Sequence, residues 1–213
     1  NKSCYENVFV HGMILDYQGD KMSKSLGNII SPYEVLEKYS ADILRYYMCQ
    51  ISAGENINFS WEDIKVKQNN LIILSNIANY ILDLEKQKIG DGNIGHEEKW
   101  ILSKYNSTLK KVTELFENYK IDETIGEIEN LFISLSRDYI KLVREKSSEN
   151  KYVLKTVKEV YLGILKMFSL VCPFITESLW KKMGQKEESV HLCEWPKTEA
   201  KKIDAKLEGQ FEN

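Results

Sequence analysis

Gly19-Asp20-Lys21-Met22-Ser23-Lys24-Ser25-Leu26-Gly27-Asn28 is the stretch from which the rest of the chain is read. It holds two lysines, two serines and two glycines in ten residues. Before it, Val8-Phe9-Val10-His11 and Met13-Ile14-Leu15 are rich in β-formers, and the first run suits a buried parallel strand. After it, Ser31-Pro32-Tyr33-Glu34 carries a capping residue, a proline at the first helical position and an acid three residues past the cap. A cationic, hydroxyl-bearing loop thus lies between a strand and a helix, a place where phosphates are commonly held. The lysines supply compact charge, the serines and free N–H groups supply donors, and the glycines let the loop reshape around a ligand.

Composition bounds what surrounds this loop. The 213 residues suffice for one large domain or two small ones, and 43% hydrophobic content supports a packed core without staples. Cys4, Cys49, Cys172 and Cys193 form no CxxC pair, which fits reduced thiols and a cytoplasmic location. His191-x-Cys193 offers two candidate ligands, too few for a zinc site, so no metal is expected. No apolar run approaches the length of a membrane span, and the start is not signal-like. The first residue is Asn1, near a strand, so the chain reads as a piece of a longer protein, monomeric as it stands. A net charge of −3 means that any nucleic-acid contact must come from a local patch. Of 29 basic residues only Arg45, Arg137 and Arg144 are arginine, and a planar fork does what an ammonium cannot.

Beyond the loop the pattern is helical. Ser40 caps a short helix whose Ile43, Leu44, Tyr47, Met48 and Ile51 recur at helical spacing. Asp42 and Arg45 on it, three residues apart, read as a local ion pair. Ser60 caps a long helix reaching about Lys88, apolar almost all round from Leu71 to Leu84. Gly90, Gly92 and Gly95 mark a linker. Residues 96–119 carry the stripe Trp100, Ile101, Tyr105, Leu109, Val112 and Phe116. Asp122 is read as the cap of the next helix, to about Lys146, with Ile128, Leu131, Phe132, Leu135, Tyr139 and Leu142 on one side. Arg137, Lys141 and Arg144 fall on the other side. They make either a solvated face, since Asp138 and Glu145 flank them, or a phosphate contact. Tyr152 to Val171 is a helix that Pro173 must interrupt or kink, and Ile175 to Met183 another. Residues 190–196 read as an extended segment packing back on the helices. The Lys/Glu-rich tail from Lys197 is expected to be poorly ordered.

Lys21-Met22-Ser23-Lys24-Ser25, with Gly19 before it and Leu26-Gly27-Asn28, Pro32, Val35-Leu36-Glu37-Lys38-Tyr39 and Ala41-Asp42-Ile43-Leu44-Arg45-Tyr46 after it, resembles the KMSKS region of class I aminoacyl-tRNA synthetases. The order of these features is similar to the isoleucyl, valyl, leucyl and methionyl subgroup. Asn58-Phe59-Ser60-Trp61 resembles isoleucyl and valyl enzymes, and residues 135–144 resemble the third bundle helix of isoleucyl enzymes more than that of valyl ones. Cys172 to Trp180 is similar to the proline-bearing turn that closes the family's anticodon-binding bundle. Asn93-Ile94-Gly95-His96 is not the family's HIGH motif: its first histidine is missing and it follows the lysine loop.

The resemblance implies a mainly α fold, a helical bundle of the anticodon-binding type preceded by a strand–loop remnant of the α/β nucleotide-binding domain. It divides the chain into residues 1–30 (end of the catalytic domain), 31–59 (helical connector), 60–189 (bundle) and 190–213 (extended segment and tail). The implied activity is ligation of isoleucine to tRNA, with valine next and then leucine or methionine. ATP with Mg2+ and isoleucine would serve the full-length enzyme, and none is expected on this piece alone, which would be inactive by itself. Lys24 first and Lys21 second would stabilise the departing pyrophosphate. Met22, Ser23, Ser25, His11 and Gly12 would complete the ATP contacts, His11 with a structural role as its alternative. Arg137, Lys141 and Arg144 would touch tRNA. The other class of reading is a stand-alone helical RNA-binding module that kept a vestigial loop.

Overall fold

The computed structural model describes residues 3–51 and 54–211. It is a helical bundle with a small parallel pairing at one end. In chain order the elements are β1 (Ile14–Leu15), α1 (Pro32–Lys38), α2 (Ala41–Met48), β2 (Ile57–Asn58), α3 (Trp61–Glu85), α4 (His96–Glu117) and α5 (Ile121–Ser134). A π-helical turn (Leu135–Tyr139), α6 (Ile140–Val143), α7 (Lys151–Phe168), α8 (Pro173–Lys182) and α9 (Ala205–Phe211) follow, with 3-10 turns at Val190–Leu192 and Ala200–Lys202.

The helix starts follow local chemistry. The hydroxyls of Ser31, Ser40 and Ser60 accept the N–H groups of Tyr33, Ile43 and Asp63 in the first turns of α1, α2 and α3. Pro32 and Pro173 sit at first helical positions, so Pro173 starts α8 rather than bending α7. Asp122 does not cap α5. Lys120 holds that position without a side-chain capping bond, and Asp122 falls in the first turn, where an acid complements the helix dipole.

One core runs the length of the bundle, from Tyr46 and Tyr47 through Leu74, Ile81, Leu109, Phe132 and Ile164 to Trp180. The α3 stripe is narrower than its composition suggests. Leu71, Leu74, Ile77, Ala78 and Ile81 are buried, while Ile72 is 50% exposed, because neighbours cover α3 on one side only. The stripe expected on α5 and α6 holds as far as Tyr139 and then fails: Leu142 is exposed, and Ile140 and Val143 are buried instead. The π turn explains this. The Ile140 N–H bonds the Leu135 carbonyl, five residues back, which inserts an extra residue and rotates everything after it.

Two further expectations give way. Val8, Phe9 and Val10 are 61%, 48% and 64% exposed and belong to no strand. Among the described residues, 54–59 run beside this segment, with Gly54, Ile57 and Phe59 donating to the carbonyls of Val10, Met13 and Leu15. β-propensity alone cannot bury a run that no element covers. The tail, by contrast, is ordered on α4. Trp195 Nε1 donates to Thr113 Oγ1 (2.9 Å), Glu208 binds the hydroxyls of Ser103 and Ser107, and Phe211 stacks on Trp100 at 4.6 Å.

Gly12 shows how close the parallel pairing is. A Cβ there would fall 1.5 Å from the Glu55 carbonyl oxygen. Gly12→Ala is expected to push residues 10–15 and 54–59 apart and to cost about 3 kcal/mol, the upper range for overpacking. Chemical denaturation of the variant beside the parent measures it, and a loss below about 0.5 kcal/mol would show that the two segments part without cost.

Candidate functional site

The lysine loop is organised by the residues at its two ends. Asp16 is buried at the end of β1. Its Oδ1 accepts the backbone N–H groups of Gln18 and Asp20, each at 2.9 Å, which closes a tight turn with Gly19 at φ +89°. Its Oδ2 accepts Asn28 Nδ2 at 2.8 Å. The same Asn28 side chain accepts the Ser23 N–H (2.9 Å) and donates to the Lys21 carbonyl (3.3 Å). Asn28, the next backbone N–H bonds and then the rest of this turn hold the Asp16 carboxyl below its ordinary range. Asp16 and Asn28 therefore tie the start of the loop to its end. Neither was assigned a role from the sequence, although Asp16-x-x-Gly19 carries a legible Asx-turn signal.

Between the pins the tip is open. Ser23 Oγ lies 3.1 Å from Ser25 Oγ and accepts the Leu26 N–H (3.2 Å), so the two hydroxyls and one amide face one another. Gly27 has φ +70°, a conformation that favours glycine. Lys21 and Lys24 are exposed, and among the described residues neither has a carboxylate within 4 Å. Elsewhere Lys67, Lys111, Lys146, Lys158 and Lys202 all meet acids. A loop that orders hydroxyls and backbone donors yet leaves both ammonium groups unpaired suits an anion.

Four of the expected residues converge. His11, Gly12, Lys21 and Met22 line one open cleft of about 590 Å3, with Met48 and Cys49 of the α2 end opposite them. The cleft is mostly apolar with Lys21 at its rim. His11 Nδ1 lies 2.7 Å from the Gly12 carbonyl, an oxygen that can only accept, so Nδ1 is the donor. Ser23, Lys24 and Ser25 do not line it; they stand on the loop beyond. Burial raises the Cys49 thiol above its ordinary value. Arg137 on the π turn, Lys141 on α6 and Arg144 just past its end are all exposed, apart from this cleft.

The comparisons with known proteins join these two regions. Residues 98–213 match the anticodon-binding domain of tRNA ligase, and residues 1–60 match the class I tRNA synthetases of the I, L, M and V group. The chain belongs to the class I tRNA synthetase family. As a member of it, the chain is 32% identical to the isoleucine–tRNA ligase of Methanopyrus kandleri over 98% of its own length and 21% of the relative's. It is 35% identical to the valine–tRNA ligase of Picrophilus torridus, over 90% of this chain and 26% of that one. A similar fold is seen in a solved structure, agnB2 LeuRS of Agrobacterium radiobacter K84 in a ternary complex with tRNA and LeuAMS. That chain superposes with a TM-score of 0.73 at 22% identity, over 92% of this chain and 24% of its own. The chain thus spans about a fifth of the length of the isoleucine relatives. No helix among the described residues is long and apolar enough to cross a membrane.

Proposed function

We propose that this chain is the lysine-loop and helical-bundle portion of an aminoacyl-tRNA ligase that joins isoleucine to its tRNA. The observation that carries the reading is the pinned loop with two unpaired lysines, joined in one chain to a bundle of the anticodon-binding family. In the reaction the amino-acid carboxylate attacks the α-phosphorus of ATP and pyrophosphate leaves. The aminoacyl group then passes to the terminal ribose of tRNA. Negative charge grows on the phosphates during the first step, so positioned donors are what the chain can offer. Lys24 at the tip stabilises the departing pyrophosphate, with Lys21 at the cleft rim second. Ser23 and Ser25 shape the tip and donate to phosphate oxygens. His11 and Gly12 meet the nucleotide inside the cleft, and the missing Cβ of Gly12 lets its backbone lie against Glu55 behind it. Mg2+ would travel with the phosphates, and no residue here is assigned to it. The working division is residues 1–30 for the catalytic remnant, 31–59 for the connector, 60–189 for the bundle and 190–213 for the closing segment.

Isoleucine rests on the isoleucine–tRNA ligases at 32–33% identity that match nearly the whole chain. Valine is the second reading, because a valine–tRNA ligase matches at 35% identity. ATP–pyrophosphate exchange by the full-length protein, run with isoleucine, valine, leucine and methionine in turn, separates them. Exchange driven by valine above isoleucine would overturn the isoleucine reading.

On the bundle, Arg137, Lys141 and Arg144 form the proposed tRNA-facing ridge. Arg137→Ala with Arg144→Ala is expected to weaken tRNA retention on filters and to lower the slope of log affinity against log salt by about 1–2, since each phosphate contact contributes about 0.9. An unchanged slope would remove the ridge from the interface.

A further inference from the structure

One turn of α2 holds both sides of the junction between α7 and α8. The Asp42 carboxylate accepts the N–H groups of Phe174 (3.3 Å) and Ile175 (2.5 Å), donors in the first turn of α8. Three residues on, Arg45 donates from Nε to the Val171 carbonyl (2.9 Å) and from Nη2 to the Leu170 carbonyl (3.3 Å), just past the end of α7. The Cys172 thiol meets the Asp42 carbonyl at 3.6 Å. Asp42 and Arg45 therefore do not form the local ion pair that their spacing suggests: their N and O atoms stay more than 4 Å apart, and Arg45 acts on the carboxyl only through space. Each charge is spent on a helix end of opposite partial charge, the acid at an N-terminus and the base at a C-terminus.

The upstream side of α2 is equally tied. Lys38 at the end of α1 and Tyr39 just after it lie over Trp61 at 4.3 Å and 6.3 Å, and Trp61 packs on Phe59 at 4.9 Å. The lysine loop leads into α1 through only Ile29, Ile30 and Ser31, with the Ile30 N–H on Met22 Sδ (3.3 Å). From loop to bundle the connection is continuous and made of directional contacts.

We infer that Asp42 and Arg45 are positioning residues that set the angle between the lysine loop and the helical bundle. They thereby place a tRNA held on the bundle relative to the loop. This rests on the ligase reading above. The lever is long: the 25 residues of α3 span about 37 Å, so a tilt of about 5° at the junction moves the far end by about 3 Å. A misplacement of about 1 Å can cost about a hundredfold in rate. The small-substrate step needs only the loop and its cleft, and the transfer step needs the angle.

The test uses the full-length ligase with Arg45→Ala, Asp42→Ala and Asp42→Asn. Expected is ATP–pyrophosphate exchange within about twofold of the parent, with aminoacylation kcat/KM for tRNA down about 10–30-fold. Asp42→Asn keeps one acceptor oxygen and is expected to recover part of the loss. Faster amide exchange at Phe174 and Ile175 in Asp42→Ala would mark the released junction. Arg45 is exposed and carries the test if Asp42→Ala fails to fold. Parallel loss of both steps, or aminoacylation within twofold of the parent in Arg45→Ala, overturns the inference alone. Absence of exchange in the parent with all four amino acids overturns the ligase reading, and this inference with it.

Discussion

Replacing Lys24 by alanine in the full-length ligase is expected to lower the rate of amino-acid activation about 10²–10³-fold, the effect of losing one preorganised donor at a developing charge. The expectation comes from the state of the side chain. Lys24 stands on a tip whose ends are fixed by Asp16 and Asn28, and no acid within 4 Å neutralises it among the described residues. An ammonium left unpaired on an ordered loop loses little by meeting a phosphate, because no existing ion pair has to break. The kinetic signature distinguishes its role from simple nucleotide binding. An interaction made only as pyrophosphate departs lowers kcat with little change in the KM for ATP, whereas uniform binding raises KM and leaves kcat alone. Lys24→Arg keeps the charge but not the compact shape, and is expected to recover only part of the rate. Lys21→Ala is expected to act more weakly, since Lys21 sits at the rim of the cleft rather than on the tip. Parental exchange by Lys24→Ala would reduce the lysine to a solvated surface residue.

What could be read without coordinates was what is written locally. The caps at Ser31, Ser40 and Ser60 need only a hydroxyl and the next few N–H groups, so sequence spacing suffices. The α4 stripe held because α4 is an uninterrupted helix of 22 residues. Leu142 was misplaced because a fixed 100° per residue cannot foresee a π turn upstream of it. The tail was misjudged on composition, although Ile203, Leu207 and Phe211 recur every fourth residue, the one signal that could have placed a helix on α4. At the candidate site the chemistry-bearing loop was legible and its architecture was not. The Asp16–Asn28 bond spans 12 residues, and the Asp42 and Arg45 contacts span 125 to 133. Nearest-neighbour reasoning gave Asp42 and Arg45 to each other. A buried carboxylate takes whichever donors the packing presents, and here those were backbone amides of a helix far along the chain.

Glu129→Ala should cost about 3 kcal/mol of stability. Glu129 on α5 is the shared acceptor of a network that joins three helices. Its Oε2 accepts the Tyr46 hydroxyl from α2 (2.5 Å) and the Lys67 ammonium from α3 (2.8 Å), and Asn70 Nδ2 reaches the Tyr46 oxygen at 3.4 Å. Lys67 also lies 4.7 Å from the Tyr46 ring. Burial first, and Glu129 second, push the Tyr46 hydroxyl above its ordinary value, so it stays a donor throughout the working pH range. Removing the carboxylate leaves an ammonium with 11% side-chain exposure and a fully buried hydroxyl without their acceptor. Breaking one partner of a buried pair costs about 3–5 kcal/mol, and the 20% exposure of Glu129 argues for the lower end. The magnitude belongs to the stranded charge rather than to the pair. Lys67→Met combined with Glu129→Gln therefore should cost only about 1 kcal/mol, because the amide still accepts from Tyr46 and no charge is left buried. Denaturant unfolding of the two variants beside the parent measures both. If the double variant loses as much as Glu129→Ala, the network stabilises through its ion pair. If it loses far less, the cost of Glu129→Ala comes from the ammonium and the hydroxyl that it leaves without an acceptor between α2, α3 and α5.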